Sequence, residues 1–358
     1  MEKKYVLITG SDGLVGSECV EFFSNLGYPI IGVDNNYRKK FFGDDASVLW
    51  NRKRLKNKYK SYNHKNIDIS NMKSIESLFI EYGKQLELII HCAAQPSHDW
   101  AATDPLLDFR VNSFGTLNLL ENTKKYSRDT PFIFTSTNKV YGDNPNKIEL
   151  IETDTRFTTP NNSLYKNGFN ENFSIDNTLH SLFGSSKLSA DIMVQEYGKY
   201  FDMKTVSFRG GCLTGPNHSG TVLHGFLSYL MKCTISSTKY TIYGYKGKQV
   251  RDNIHSRDLV KAFYEFFKNP RSGEAYNMGG GIENNCSMLE AIKICEEITG
   301  NQLKYDYDDK HRKGDHKWYV SDLSKFKKHY PNWSQSYNIA EMLQEIAEKN
   351  TYRWMKNL

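Results

Sequence analysis

Gly10, Gly13 and Gly16, followed by the acid Asp34, are the residues whose types and spacing first suggest chemistry. The glycines come directly after the apolar run Tyr5–Ile8, in the stretch TGSDGLVG. Gly10 permits a tight turn, Gly13 lets the backbone approach a pyrophosphate, and Gly16 lets a helix pack closely on the strand. Leu14 and Val15 open that helix, and Val20, Phe22 and Phe23 continue its apolar spacing. The helix N-terminus offers free N–H groups and a partial positive charge to an anion. Asp12 lies within the turn. Asp34, followed by Asn35, ends the next apolar stretch, Tyr28–Val33. A carboxylate there accepts hydrogen bonds from ribose hydroxyls. Strand, glycine turn, helix and acid in this order predict a dinucleotide cradle. Asp34 would repel a 2′-phosphate, so NAD is expected over NADP. Arg38, Lys39 and Lys40 would serve such a phosphate if their loop folded back.

The elements that must position this cradle alternate through the first half of the chain. After Asp34 a polar, basic segment, 35–64, reads as a surface excursion. Residues 66–69 read as a strand end, with Asp68 and Ile69 flanking an adenine. Met72–Tyr82 has helical spacing, and Leu86–His91 is a fully apolar strand. Ala93, Ala94 and Gln95 follow it; small residues there let the backbone pass close to a flat cofactor. Residues 104–125 read as one long helix, 132–136 as a buried strand, 144–180 as an extended loop, 181–201 as a helix and 205–209 as a strand. Such alternation implies a parallel sheet with helices on both faces. The expected architecture is α/β, a Rossmann-type doubly wound sheet over 1–209 with a smaller lobe over 210–358 that binds substrate. Segments near 249–258 and 276–281 are expected to return to the main domain.

A chain of 358 residues has room for a well-buried core. A net charge of +6 is mild and its basic residues are dispersed, which excludes the concentrated basic face that nucleic acid requires. The run Arg52–Lys60 reads as a solvated helix face. The six cysteines form no Cys-x-x-Cys pair and point to buried thiols in a reducing compartment, the cytoplasm. No apolar stretch approaches the roughly 18 residues of a membrane span. His218 and His224 lack further ligands at metal spacing, so no metal site is expected.

Three further stretches carry a resemblance: HCAAQPSHDW (91–100), TSTNKVYGD (135–143) and SLFGSSK (181–187). With the glycine turn, and with FRGGCLTGPNHSG, KQVRDNIHSRDL and YNMGGG later on, they make the chain resemble the extended short-chain dehydrogenase/reductase family of nucleotide-sugar epimerases and dehydratases. The resemblance covers nearly the whole chain. It implies NAD, a nucleotide-diphosphate sugar and a homodimer built through residues 104–125 and 181–201. STNKVYGD and KQVRD favour, within the family, epimerisation at carbon 2 of a CDP-linked deoxysugar, by transient oxidation to a keto sugar. A 4-epimerase or a dehydratase is the alternative, although Asn138 and Lys139 stand where family dehydratases carry an Asp-Glu pair.

Carried over by position, Thr137 is the catalytic hydroxyl and Lys187 the catalytic lysine, which also holds the nicotinamide ribose. Thr135, Ser136 and Asn112 are expected near the cofactor. Ser97, Thr137, Asn138, Lys139, Gly211, Cys212, His224, Arg251 and Arg312 are expected near the substrate, with Arg251 on the diphosphate. Arg209 and Tyr141 read as structural. The departure is Phe183, which stands where the family has its catalytic tyrosine. A phenyl ring transfers no proton, and general acid–base catalysis is worth about 10²–10⁴-fold. The substitute bases in view are His180, His98 and Asp99, with Tyr165 behind them. A chain left catalytically impaired, binding NAD or a nucleotide sugar without turnover, is the rival expectation.

Overall fold

The computed structural model describes residues 4–222, 224–310 and 314–355. Its main sheet has seven strands in the order Glu274–Met278, Thr205–Gly210, Phe132–Thr137, Leu86–His91, Tyr5–Thr9, Ile30–Val33 and Tyr62–Lys65. From Phe132–Thr137 across to Tyr62–Lys65 every neighbouring pair is parallel. The first strand pairs on both sides, Val6 with Ile30 and with Leu88, so the glycine turn leaves the sheet at its centre. This is the doubly wound arrangement, and it places the turn where the strand order reverses.

The chain divides into two compact units. The first is assembled from three stretches, Met1–Val140, Leu182–Arg209 and Leu259–Tyr276. Leu7, Ile31, Ile89, Leu119, Phe132 and Val194 belong to its core. Phe22, Phe23 and Tyr28 from its first stretch pack their rings against Tyr264 and Phe267 from its last. The second unit comprises Tyr141–Ser181, Gly210–Asp258 and Asn277–Leu358. Its core includes Leu230, Met231, Ile242, Cys295, Leu343 and Ile346. Val250–His255 lies in a sheet with Cys212–Thr214, Asn285–Ser287 and Trp318–Tyr319 within this unit.

Some expected stretches differ in the structure, among them 66–69, which follows the strand Tyr62–Lys65 instead of ending one. Residues 35–64 do not wander over the surface; they form helices Tyr37–Phe42 and Leu49–Lys58 and the edge strand Tyr62–Lys65. Buried Phe41, Val48 and Leu55 anchor them, at spacings hidden among charged residues. The helix read over 104–125 is three pieces: Pro105–Phe109, a π turn at Arg110–Phe114, and Gly115–Tyr126. A π turn inserts one residue per turn and re-aims the side chains on it; here Asn112 sits on that turn. The helices Met72–Tyr82 and Ser181–Phe201 match the sequence spacing. All six cysteines are free thiols. Among the described residues no helix is long and apolar enough to cross a membrane, and no His/Cys/Asp/Glu group forms a metal cluster.

Candidate active site

The glycine turn is sterically obligatory. Gly10 has φ +68°, and a Cβ there would lie 2.7 Å from the Ala93 nitrogen. A Cβ on Gly16 would lie 2.0 Å from the Gly10 carbonyl oxygen. The turn is closed by the Gly13 N–H donating to that same carbonyl at 3.1 Å. Gly13 stands at the N-cap of helix Leu14–Asn25, which has no side-chain cap and no acid in its first turn. Its first N–H groups are therefore left for an external acceptor.

Two carboxylates, Asp12 and Asp34, stand at the end of strand Ile30–Val33. Asp34 accepts from the Asn36 N–H at 2.7 Å and from the Asp12 N–H at 3.2 Å. Asp12 is buried, and accepts from the Tyr62 hydroxyl at 2.9 Å and from Arg52 Nε at 2.6 Å. His64 Nε2 lies 3.4 Å from the same carboxylate. Burial pushes the Asp12 carboxyl up, but the bonds from His64 and Arg52 outweigh it and hold the group below its ordinary value. Asp34 is pushed up to about 6, by burial first and by the charge of Asp12 second. Arg52 is the residue that the sequence reading misplaced. Rather than lining a solvated face, it turns back into this cluster, its Nη2 donating to the Asp34 carbonyl oxygen at 3.3 Å. Arg54 and Lys58 of the same helix pair with Glu21. Arg38 lies over Phe42, Lys40 over Tyr37, and Lys39 pairs with Asp44.

The raised Asp34 carboxyl makes a prediction. Its ionised form is disfavoured in the fold, so stability falls as pH rises from about 4 to about 6 and stays lower above that. Asp34→Asn should therefore raise the stability of the ligand-free protein at pH 7 by up to about 3 kcal/mol, while weakening NAD. Urea unfolding at pH 4 and pH 7 checks it: the gain should be present at pH 7 and nearly absent at pH 4.

Asn35 accepts from the Tyr37 N–H at 3.2 Å. Asp68 is half-buried and holds Ser70 through both its N–H and its hydroxyl. Ile69 is buried against Gly115, where a Cβ would lie 2.7 Å from Ile69 Cδ1.

After strand Leu86–His91 runs a buried polar lattice. His91 bonds Thr9 and Thr116, and burial drives its pKa well down, so the ring is neutral. Ala93 N–H donates to Thr9 Oγ1, and Ala94 follows, half-buried. Asn112 accepts from the Gln95 N–H at 2.8 Å, and its amide donates to the Gln95 carbonyl, Asp108 and Ser186. Asn112 thus fastens the loop to two helices, with its side chain satisfied within the protein. Gln95 in turn accepts from the Ser97 N–H at 2.5 Å and donates to the Ser97 carbonyl and Asp108. Ser97 caps the short helix His98–Thr103.

The Lys187 Nζ donates to the Thr135 carbonyl oxygen at 2.8 Å and sits 4.0 Å from the Phe134 ring centre. Burial pushes the amine down to about 7, against the opposing pull of Asp191, Cys92 and Asp108. Ser136 donates to Asp191, which also receives Arg209 Nη2 at 2.8 Å; both charges are buried. Ser136 therefore supports the sheet end. Thr137 is half-buried and accepts from the Lys139 N–H at 3.2 Å, while Asn138 is buried.

Phe183 is buried, and its ring lies edge to face against His98 with centroids 4.8 Å apart. Asp99 is exposed on the first turn of helix His98–Thr103. His180 does not share a helix face with Phe183, because the helix starts after it, at Ser181 with φ +59°. Its Nε2 donates to the Ile175 carbonyl at 2.7 Å. Tyr165 packs in a ring cluster with Phe169 and Phe173. Tyr141 is fully buried and donates to Asn277 at 2.7 Å, a structural role.

Within the second unit, Gly211 N–H donates to the Met278 carbonyl, and a Cβ at Gly211 would meet Asp252 at 2.3 Å. Cys212 pairs in register with Asn253. His224 Nδ1 lies 3.2 Å from His218 Nε2. Arg251 Nη2 lies 3.3 Å from Asp315 Oδ1. Arg312 lies outside the described residues.

An adenine dinucleotide suits the residues of the first unit. The glycine turn and the uncapped helix start would take its pyrophosphate, Asp34 a ribose, and Lys187 with the backbone after Cys92 its redox end. Known proteins resemble the chain over nearly its whole length. The family model described as GDP-mannose 4,6 dehydratase matches residues 7–346. The chain belongs to this family, within the extended short-chain dehydrogenases/reductases. It is 29% identical to a CDP-paratose 2-epimerase of Salmonella typhi, over 99% of both chains. It is 28% identical to a UDP-glucuronate 4-epimerase of Thermodesulfobacterium geofontis, over 98% of this chain and 96% of that one. The UDP-glucose 4-epimerase of Thermus thermophilus, solved in complex with NAD, superposes with a TM-score of 0.77 at 22% identity, covering 96% of this chain and 98% of that one. The family members found are nucleotide-sugar epimerases and dehydratases, and the sheet matches theirs.

Proposed function

We propose that the protein is an NAD-dependent nucleotide-sugar epimerase, acting at carbon 2 of a CDP-linked deoxysugar. The observation that carries the reading is the first unit's cradle: a turn that admits glycine alone at positions 10 and 16, beside an acid pair and a buried lysine. The choice of CDP rests on the full-length likeness to the Salmonella typhi CDP-paratose 2-epimerase. Bound NAD supplies a hydride acceptor and donor. Lys187 holds the cofactor's ribose, Thr137 offers its hydroxyl to the sugar, and Arg251 takes the diphosphate, exchanging Asp315 for it. Asn138 and Lys139 lack the carboxyls that elimination of water needs, which ranks dehydration lower. The six free thiols fit a reducing cytoplasm.

The test is incubation of the NAD-loaded protein with CDP-, UDP- and dTDP-linked sugars in deuterium oxide, followed by NMR. The expected product is the carbon 2 epimer of a CDP-sugar, with no deuterium on that carbon, because the hydride returns. Deuterium at carbon 2, or conversion of none of these sugars, sinks the reading. A second reading, a binding protein without turnover, is favoured by one observation: the ring buried at position 183 has no ionisable group.

A homodimer belongs to the same proposal. Leu106, Phe109 and Phe114 on one helical stretch, and Leu182 and Ile192 on helix Ser181–Phe201, are large apolar side chains left exposed. Sedimentation should give twice the chain mass of 41.4 kDa. Ile192→Asp should return the single-chain mass.

A further inference from the structure

We propose that His98 is the catalytic acid–base residue of this site, taking the role that Phe183 cannot fill. The proposal rests on the epimerase reading.

The structure places these two rings together. The phenyl group at position 183 meets the His98 imidazole edge to face, with 4.8 Å between centroids and 62° between planes. The imidazole is thus in direct contact with the ring that stands at the tyrosine position. Phe183 is buried and His98 is half-buried, so the phenyl forms a wall and the imidazole keeps an open side. The loop that carries His98 is also held in place. Its neighbour Ser97 is fastened through three hydrogen bonds to Gln95 and the Trp100 N–H, and Gln95 is tied to Asp108 and Asn112. The same Asn112 and Asp108 reach the helix that carries Phe183 through Ser186, whose hydroxyl bonds the Phe183 carbonyl. A loop clamped to its opposing helix by this lattice holds a reacting group to the tolerance that catalysis needs.

The competing groups are worse placed. Asp99 is exposed, and the Nε2 of His180 is spent on the Ile175 carbonyl. The Lys187 amine is tied to the Thr135 carbonyl and lies under the Phe134 ring. An imidazole can both accept and return a proton, which this role requires. The charged and titratable groups on the elements packed around it include Asp99 on its own helix, Asp108 behind Ser97, Lys187 and Asp191 on the helix of Phe183, and Tyr37, Arg38, Lys39 and Lys40 on helix Tyr37–Phe42, whose Phe41 packs on Trp100.

The step balances. Neutral His98 takes the sugar hydroxyl proton and becomes imidazolium. With NAD held by the glycine turn and Lys187, its nicotinamide would accept the hydride from the same carbon, which would become a carbonyl. Return of hydride to the opposite face regenerates the alcohol, its proton coming back from His98.

Two measurements test this. His98→Gln should lower kcat by about 10²–10⁴-fold with KM and NAD content unchanged. It should also remove the acid limb of the kcat profile, and imidazole should restore part of the activity of His98→Ala. Independently of turnover, the His98 ring resonance, assigned by its loss in His98→Gln, should shift when CDP-glucose saturates the NAD-loaded protein. If CDP-glucose binds and that resonance does not move, or if His98→Gln keeps the wild-type rate and pH limb, the assignment to His98 is overturned and the epimerase reading survives. If no nucleotide sugar binds or turns over, the epimerase reading itself falls and takes this one with it.

Discussion

Arg209→Met should lower the unfolding free energy by about 3–5 kcal/mol, because it strands a buried carboxylate. Asp191 is fully buried, and its oxygens are shared among Arg209 Nη2 at 2.8 Å, Arg209 Nε at 3.2 Å, Ser136 Oγ at 2.5 Å and Gln195 Nε2 at 2.7 Å. Without the guanidinium the remaining donors are neutral, and a neutral hydrogen bond compensates a buried charge poorly. The desolvation argument also fixes the control. Arg209→Met combined with Asp191→Leu removes both charges and should cost less than half as much, since apolar replacement of a whole buried pair is often close to neutral. Urea midpoints of the wild type and the two variants decide it. Equal losses in the single and double variants would mean that packing, not charge, sets the cost.

Gly16→Val should weaken NAD on the order of 100-fold or more, about 3 kcal/mol, the upper end of ordinary overpacking. A Cβ at Gly16 meets the Gly10 oxygen at 2.0 Å, its carbon at 2.6 Å and Ser11 Cα at 2.8 Å. All three are backbone atoms, so no side chain can swing away. The helix start must move off the turn, and the N–H groups that would meet the pyrophosphate move with it. Titration of the apo protein with NAD, followed by calorimetry, measures the loss. Gly27→Val is the matched control: it sits at φ +90°, with nothing within 4 Å of its Cβ position. That variant should lose some stability to backbone strain and leave NAD affinity near wild type. If both variants bind NAD equally, the cradle lies elsewhere.

The sequence announces these two features unequally. The glycine turn is written locally: an apolar strand, three glycines and an amphipathic helix within a few turns of chain. Leu86–His91 and Ser181–Phe201 are legible for the same reason, because their apolar periods are unbroken. Arg209 reads as structural from its strand-end position, while its partner Asp191, on another element, needs the fold to appear. Arg52 is the clearest loss. It stands in a basic run that looks solvated, and Asp12 recruits it across forty positions of chain. The π turn at Arg110–Phe114 is likewise invisible to a helical count, since a single inserted residue leaves the composition unchanged. Phe183 shows in the sequence as a missing hydroxyl. Its pairing with His98 is a contact between a loop and a helix that lie far apart in the chain.

The three-part construction of the first unit bears on how the chain matures. Its aromatic seam joins Phe22, Phe23 and Tyr28 to Tyr264 and Phe267, so the earliest helix waits for residues made more than two hundred positions later. During synthesis those rings emerge from the ribosome with no mate, beside a sheet still short of its Glu274–Met278 edge. Long-range closure of this kind is slow and leaves sticky surface exposed in the meantime. A nascent chain halted before Leu259 should therefore be a strong client for holding chaperones, and release past Tyr276 should free it.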